Sequence, residues 1–416
     1  MKKILFIALF ISSISVLAAP KGGAFLDPKE AGLDFIVQGE YIGEDSEGGR
    51  VGLNIIARGD GKYEGKGFMG GLPGDGWDPY SETLPLTIET NPGIGGEYSG
   101  EDAEGQKVGL KISSIGAGKF KGEGYSGGLP DDGWDQGDTL PLEIQKDGDK
   151  WKFTDSDFNE YEVKIKDGKL VAWLAGDKFA ELNKVVQMKC TDPDNNVYEV
   201  KIRDGKLVAW LEGNKFAELK KVVRKSPTLG AKPPKGAIVL FDGTSADKFK
   251  NAKISEDKLL IPRADSIQRF GSHKLHIEFL LPFKPKAKGQ GRGNSGCYLQ
   301  GRYEVQVLDS FGLEGRNNEC GGIYSIKAPD LNMCYPPLSW QTYDIEFTAA
   351  KFKDGKKVED ARMTVLHNGV KIHDNVKLPK RTTASPLPEG PEPGYLHLQD
   401  HGNPVRYRNI WVLKTK

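Results

Sequence analysis

Short runs in which apolar and polar residues alternate, bounded by Gly, Asp, Asn or Pro, fill most of this chain. A period of two predicts strands, and the residues between the runs predict tight turns. The pattern is sharpest at Gly296-Cys297-Tyr298-Leu299-Gln300 and Tyr303-Glu304-Val305-Gln306-Val307-Leu308, two strands predicted to meet at Gly301. In the second, Tyr303, Val305 and Val307 point one way, and Arg302, Glu304 and Gln306 the other. Such a row either faces solvent or lines a polar groove. From Ala237 onward about ten strand candidates, Ile238–Phe241 the first and Val405–Leu413 the last, come with no long helical period. They predict a two-sheet sandwich or jelly roll over residues 237–416.

Two internal repeats precede it. Gly39-Glu40-Tyr41 recurs as Gly96-Glu97-Tyr98, Val51-Gly52-Leu53 as Val108-Gly109-Leu110, and Gly71-Leu72-Pro73 as Gly128-Leu129-Pro130, all at an offset of 57. Further on, Tyr161-Glu162-Val163-Lys164-Ile165 recurs as Tyr198-Glu199-Val200-Lys201-Ile202 at an offset of 37, each copy continuing through an Asp-Gly turn. Residues 30–146 therefore read as two tandem β-repeats, 147–223 as two β-hairpin repeats, and 224–236 as a Pro-rich linker. The expected class is all-β: small antiparallel β-repeats, then the sandwich. Trp77 and Trp134 are each expected to plug a small β-module rather than stack on a sugar, because Trp is usually highly buried.

Composition narrows the function. Lys+Arg equals Asp+Glu at 58 each among 416 residues, so no nucleic-acid partner and no basic membrane anchor are expected. Met1-Lys2-Lys3, an apolar run from Ile4 to Val16 and Val16-Leu17-Ala18 predict a signal peptide over residues 1–18. Export to the periplasm or the extracellular space follows. Of the four cysteines, Cys320 and Cys334 flank one loop and form the most plausible disulfide, against the alternative that all four are buried free thiols.

Several strands of the last region carry His, Glu, Gln and Arg on their polar face instead of the Lys, Thr and Ser of ordinary surface. His276 and Glu278 alternate with Leu275, Ile277 and Phe279; His397 and Gln399 alternate with Leu396 and Leu398. The face is either a carbohydrate groove or a solvated surface.

The blocks Val239-Leu240-Phe241-Asp242-Gly243-Thr244, Gly293-Asn294-Ser295-Gly296-Cys297-Tyr298-Leu299, Tyr303-Glu304-Val305-Gln306-Val307-Leu308-Asp309-Ser310, Gly321-Gly322-Ile323-Tyr324, Trp340-Gln341-Thr342-Tyr343-Asp344-Ile345 and Leu398-Gln399-Asp400-His401-Gly402-Asn403-Pro404-Val405-Arg406 occur in that order. Together they resemble the 3-keto-disaccharide hydrolase domain, over about residues 236–416; the repeats lie outside the resemblance. It implies a concanavalin- or laminin-G-like jelly roll and a substrate oxidised at C3, a 3-keto-disaccharide or related glycan. A 3-keto group acidifies the C2 hydrogen, so a base can remove it and the glycosidic oxygen can leave with a proton. Within that expectation Glu278 and Glu304 are the candidate acid and base, and His401 the proton carrier. Arg302 and Arg406 are assigned to enolate charge or hydroxyls, Asn294, Gln306 and Gln399 to sugar hydrogen bonds, and Tyr324 and Trp340 to ring stacking. Asp309 is the candidate ligand for a divalent cation such as calcium, or else orients a partner. The alternative to an enzyme is a non-catalytic glycan-binding or cell-envelope protein.

Overall fold

The alternating runs form strands throughout. The computed structural model describes residues 23–415 apart from 91–92, 117–118, 148–149 and 167, and the signal peptide predicted for residues 1–18 lies outside the described residues. Among them the helices are the six-residue Gly32–Val37 and a single 3-10 turn, Gly289–Gly291.

The repeats do not form separate modules. They combine into two closed eight-stranded antiparallel barrels that share the 15-residue strand Asp177–Thr191. The second barrel is continuous: strands from Gly96–Asp102 to Lys169–Leu174 pair in sequence, and the first half of the shared strand closes it, Ala180 lying opposite Asp102. The first barrel is interrupted. Four strands from Gly39–Asp45 to Thr83–Thr90 meet the second half of the shared strand and the strands Val197–Arg203, Lys206–Leu211 and Asn214–Val222. It closes through Thr90 opposite Met188 and Glu40 opposite Val222. Each barrel thus uses one copy of each repeat, and the expected boundary at 146/147 runs through the second barrel. The physical reason is coverage. A four-stranded sheet with one apolar face is marginal alone, and closing it against a second four-stranded half buries that face and removes both edges. The inward residues form one core per barrel, Leu53, Ile55, Val200 and Leu219 in the first, Leu110, Ile112, Val163 and Leu182 in the second. Trp77 and Trp134 are half-buried plugs outside these cores, edge-on to Phe68 at 5.2 Å and Tyr125 at 5.7 Å.

The C-terminal region is a two-sheet antiparallel sandwich. One sheet has six strands, in the order Ile238–Phe241, Arg406–Lys414, His273–Leu280, Trp340–Thr348, Ala361–His367, Val370–Leu378. The other has five: Phe249–Lys250, Ala264–Phe270, Gly394–Leu398, Ser295–Leu299, Tyr303–Val307. Their inner faces share one core in which Leu275, Ile277 and Phe279 meet Cys297, Leu299, Val305 and Leu398. The Tyr343 hydroxyl crosses that core and donates to the Gln306 carbonyl at 2.6 Å. All four cysteines are free; Cys320 and Cys334 are neighbours, as their spacing suggested, but they hydrogen-bond as thiols and form no disulfide.

The first barrel docks on the sandwich. Phe25 and Phe283 exchange backbone hydrogen bonds, 2.9 and 3.0 Å. Arg224 pairs with the buried Glu40 of the barrel and lies over the Tyr335 ring of the sandwich, 4.9 Å from its centroid.

Candidate active site

Four polar side chains form a row across the outer face of the five-stranded sheet. Val305, Leu299 and Leu398 point into the core, so the residues between such positions must point out. Strand register then aligns Glu304 opposite Tyr298, Tyr298 opposite His397, and His397 opposite Asp265. A second row one step along sets Gln306 opposite Gly296, with Gln399 joined to the Gly296 carbonyl through its own N–H at 2.9 Å.

Asp265 Oδ1 and His397 Nδ1 are 2.6 Å apart. A carboxylate only accepts, so Nδ1–H donates to it, which leaves Nε2 as the ring nitrogen turned away from Asp265. His397 and Asp265 stay partly exposed, with 20% and 30% of their side chains accessible, whereas Glu304 is 2% exposed. The Tyr298 ring meets His397 edge-on at 5.2 Å, and its hydroxyl accepts from Gln399 Nε2 at 3.1 Å. Tyr298 also hydrogen-bonds Glu304, which pulls that carboxyl down, but burial dominates and pushes it up to about 8. A carboxyl with that value is mostly protonated at neutral pH and can donate a proton, the pattern of a general acid. Its place depends on Gly296: a Cβ there would lie 2.2 Å from Glu304 Oε1. Gly296→Ala is therefore expected to displace the carboxyl and to cost about 1–3 kcal/mol of stability through overpacking. Thermal melts and turnover of this variant, compared with wild type, check both effects.

The rest of the predicted set divides. Asn294, Gln306, Gln399 and Tyr324 do gather around Glu304. Asn294 Nδ2 donates to Gln290 Oε1 at 3.0 Å, and Gln306 Nε2 donates to the same oxygen at 2.9 Å. The Tyr324 N–H donates to the Glu304 carbonyl at 3.2 Å, and its half-buried ring borders the site. His401 lies just beyond, exposed on the loop after Gln399.

Other candidates are elsewhere. Glu278 is on the six-stranded sheet, buried beneath the linker: it accepts from the Gly230 N–H, Arg408 Nε and Asn409 Nδ2, the last two at 2.6 and 2.9 Å. It cannot be the partner of Glu304. Trp340 and Arg406 belong to the same six-stranded sheet, and Trp340 stacks under Arg408 at 3.8 Å. Arg302 is a clamp, donating to the carbonyls of Pro388 (2.6 Å) and Glu392 (2.9 Å). Asp309 is fully buried in an ion pair with Arg292 at 2.6 Å, so its carboxylate is already neutralised and is not a cation ligand. Among the described residues no group of three or more His, Cys, Asp or Glu side chains could hold a metal ion.

Sequence reasoning missed Asp265, Tyr298, His397 and Gly296 as site residues. The alternation around Leu396 and Leu398 did expose His397. Asp265 gave less signal, because its strand is irregular between Asp265 and Arg269 and breaks the period.

Comparison with known proteins supports a carbohydrate-active, hydrolase-like protein. Residues 265–413 match the profile of the 3-keto-alpha-glucoside-1,2-lyase-like domain, in agreement with the resemblance carried by the sequence blocks. Among solved structures, one described as a "putative glycosyl hydrolase" from Parabacteroides distasonis is 30% identical, covering 44% of this chain and 85% of that one, with a TM-score of 0.40. A second so described from the same organism is 18% identical over 44% of this chain and 95% of that one, with a TM-score of 0.33. A Trypanosoma rangeli sialidase aligns at 8% identity over 91% and 92%, with a TM-score of 0.23. No curated protein matches. Among the described residues no helix is long and apolar enough to cross a membrane.

Proposed function

We propose that this chain is an exported enzyme that cleaves 3-keto-glycosides by eliminating the glycosidic oxygen. The observation that carries this reading is the cross-strand row, which places an oriented imidazole and a buried carboxyl on one face, in a domain matching that family's profile. His397 Nε2 takes the C2 proton, and Asp265 holds the resulting imidazolium. The electron pair of the C2–H bond moves into the ring, leaving an enolate on the C3 oxygen. As the enolate collapses, the C1–O bond breaks, and Glu304 passes its proton to the departing oxygen. The amide of Gln399 and the Tyr324 ring hold the sugar at the open side. Water then adds across the unsaturated 3-keto sugar and yields the free 3-keto sugar. Two carboxylates astride an oxocarbenium-like centre, the ordinary glycosidase arrangement, are not needed.

Incubating the full chain with a 3-keto-glucoside bearing a chromogenic leaving group tests this. Release of the chromophore, slowed when C2 carries deuterium, is expected. No release, or release indifferent to deuterium while the corresponding unoxidised glucoside is cleaved equally well, refutes the elimination.

A further inference from the structure

We infer that the lumen of the first barrel is a binding site for one small uncharged aromatic molecule, about the size of a single six-membered ring. A cavity of about 170 Å³ lies inside this barrel, and every one of its eight strands contributes to the wall. The wall is apolar: Leu53, Leu86, Cys190, Val200, Leu207 and Leu219 define it. Burial pushes the Cys190 thiol up to about 12, so it is neutral and lines the cavity as a small hydrophobe. Charge appears only at the rim, where Asp45 and Glu82 stand beside the exposed Met69.

The size and lining decide what fits. An apolar cavity of roughly 150 Å³ stays dry and takes benzene, because water finds no polar partners there and an apolar guest regains the lost dispersion contacts. A sugar has too many hydroxyls to desolvate in such a wall.

The second barrel independently points to the shape of the guest. Leu53, Val200, Leu207 and Leu219 correspond, at offsets of 57 and 37, to Leu110, Val163, Leu170 and Leu182, all in the second core. The residue corresponding to Cys190 is Phe153, which is buried in that core. One barrel therefore fills this position with its own phenyl ring, and the other holds a thiol and an opening. The missing group is a phenyl ring, and a free aromatic ring is the complementary guest. Entry is through the end carrying Met69, Leu84 and Phe216, large apolar side chains that are 63%, 41% and 37% exposed.

Calorimetric titration of the full chain with benzene, alongside wild-type, Cys190→Phe and Cys190→Ala proteins checked by circular dichroism, tests the assignment. One benzene per chain is expected for wild type and for Cys190→Ala, which keeps the opening. Cys190→Phe is expected to weaken binding at least about a hundredfold, because the ring occupies the space. Absence of benzene binding to wild type, or undiminished binding to folded Cys190→Phe, overturns the proposal. Should Cys190→Phe not fold, a xenon-pressurised crystal of wild type decides: density in the lumen upholds the site, and an empty lumen rejects it.

Discussion

Glu304→Gln lowers turnover of a 3-keto-glucoside by about 10²–10⁴-fold, the usual contribution of a positioned acid or base. The substitution keeps the shape and the hydrogen-bonding reach of the side chain but removes the transferable proton. Its cost to folding is small, because the wild-type carboxyl is itself mostly neutral at pH 7: burial holds it up near 8. The pH profile supplies a second reading. If protonated Glu304 gives its proton to the leaving oxygen, activity falls as pH rises through about 8, and this limb disappears in the residual activity of the Gln variant. Stability changes in the same direction. A carboxyl whose folded value lies above the ordinary 4.5 contributes fully below 4.5 and loses that contribution as pH rises through about 8. A flat profile between pH 6 and 9, or full activity in Glu304→Gln, removes Glu304 from the chemistry.

Glu278→Ala has the opposite character: it destabilises the fold by about 3 kcal/mol and leaves the chemistry at His397 and Glu304 in place. Glu278 is fully buried, and its removal strands His276 and Arg408 and frees the Gly230 N–H of the linker. An exposed pair makes the control. Lys274 and Glu346 are 48% and 58% accessible, and breaking them costs about 0–1 kcal/mol. The pH dependence is distinctive. Burial pushes the Glu278 carboxyl up, but hydrogen bonds from His276, Asn409 and Arg408 outweigh it and bring the group down to about 2. Its contribution is present above 4.5 and lost as pH falls towards 2. Burial likewise pushes His276 down, yet Asp344 and Glu278 raise it above 6.5; its contribution is full below 6.5 and lost as pH rises through the raised value. Both are complete between 4.5 and 6.5, so linker attachment is tightest in mild acid. Denaturant melts across pH 2–9 for wild type and Glu278→Ala check the magnitude and the window. Equal stability of the two proteins at pH 5.5 contradicts the assignment.

The two glutamates also show what alternation can and cannot tell. Glu278 and Glu304 sit in equivalent patterns, apolar residues on both sides, and both do point away from the core. Period two reports which side of a strand a residue occupies; it carries no information on which of two sheets the strand joins. That depends on pairing between segments far apart in sequence, such as His397 with Tyr298 and Glu278 with Arg408. Hence Asn294, Gln306, Gln399 and Tyr324 lie on the same side as Glu304, while Trp340, Arg406 and Glu278 belong to the other sheet. The same reason explains the repeats. Their existence was plain, and so was each hairpin, because both are local. The joining of the first copy of one repeat to the last copy of another is not local. Asp309 failed for a different cause: its partner Arg292 lies 17 residues away and is equally buried, a pairing that only packing reveals.

The strand Asp177–Thr191 ties the closure of one barrel to that of the other. A ribosome delivers Gly39–Thr90 first, but the strands that complete this half arrive only after Val185. Everything between, Gly96 to Val185, is a closed barrel in its own right and can finish while the first half waits as an open sheet with two bare edges. Once formed, the finished barrel tethers the waiting sheet to its missing strands: Thr90 and Met188, far apart along the chain, are brought together by a compact body instead of a long floppy loop. The two barrels are therefore not independent parts: the chain passes from the closed second barrel into the first within one continuous strand, and neither can lose that strand without opening the other.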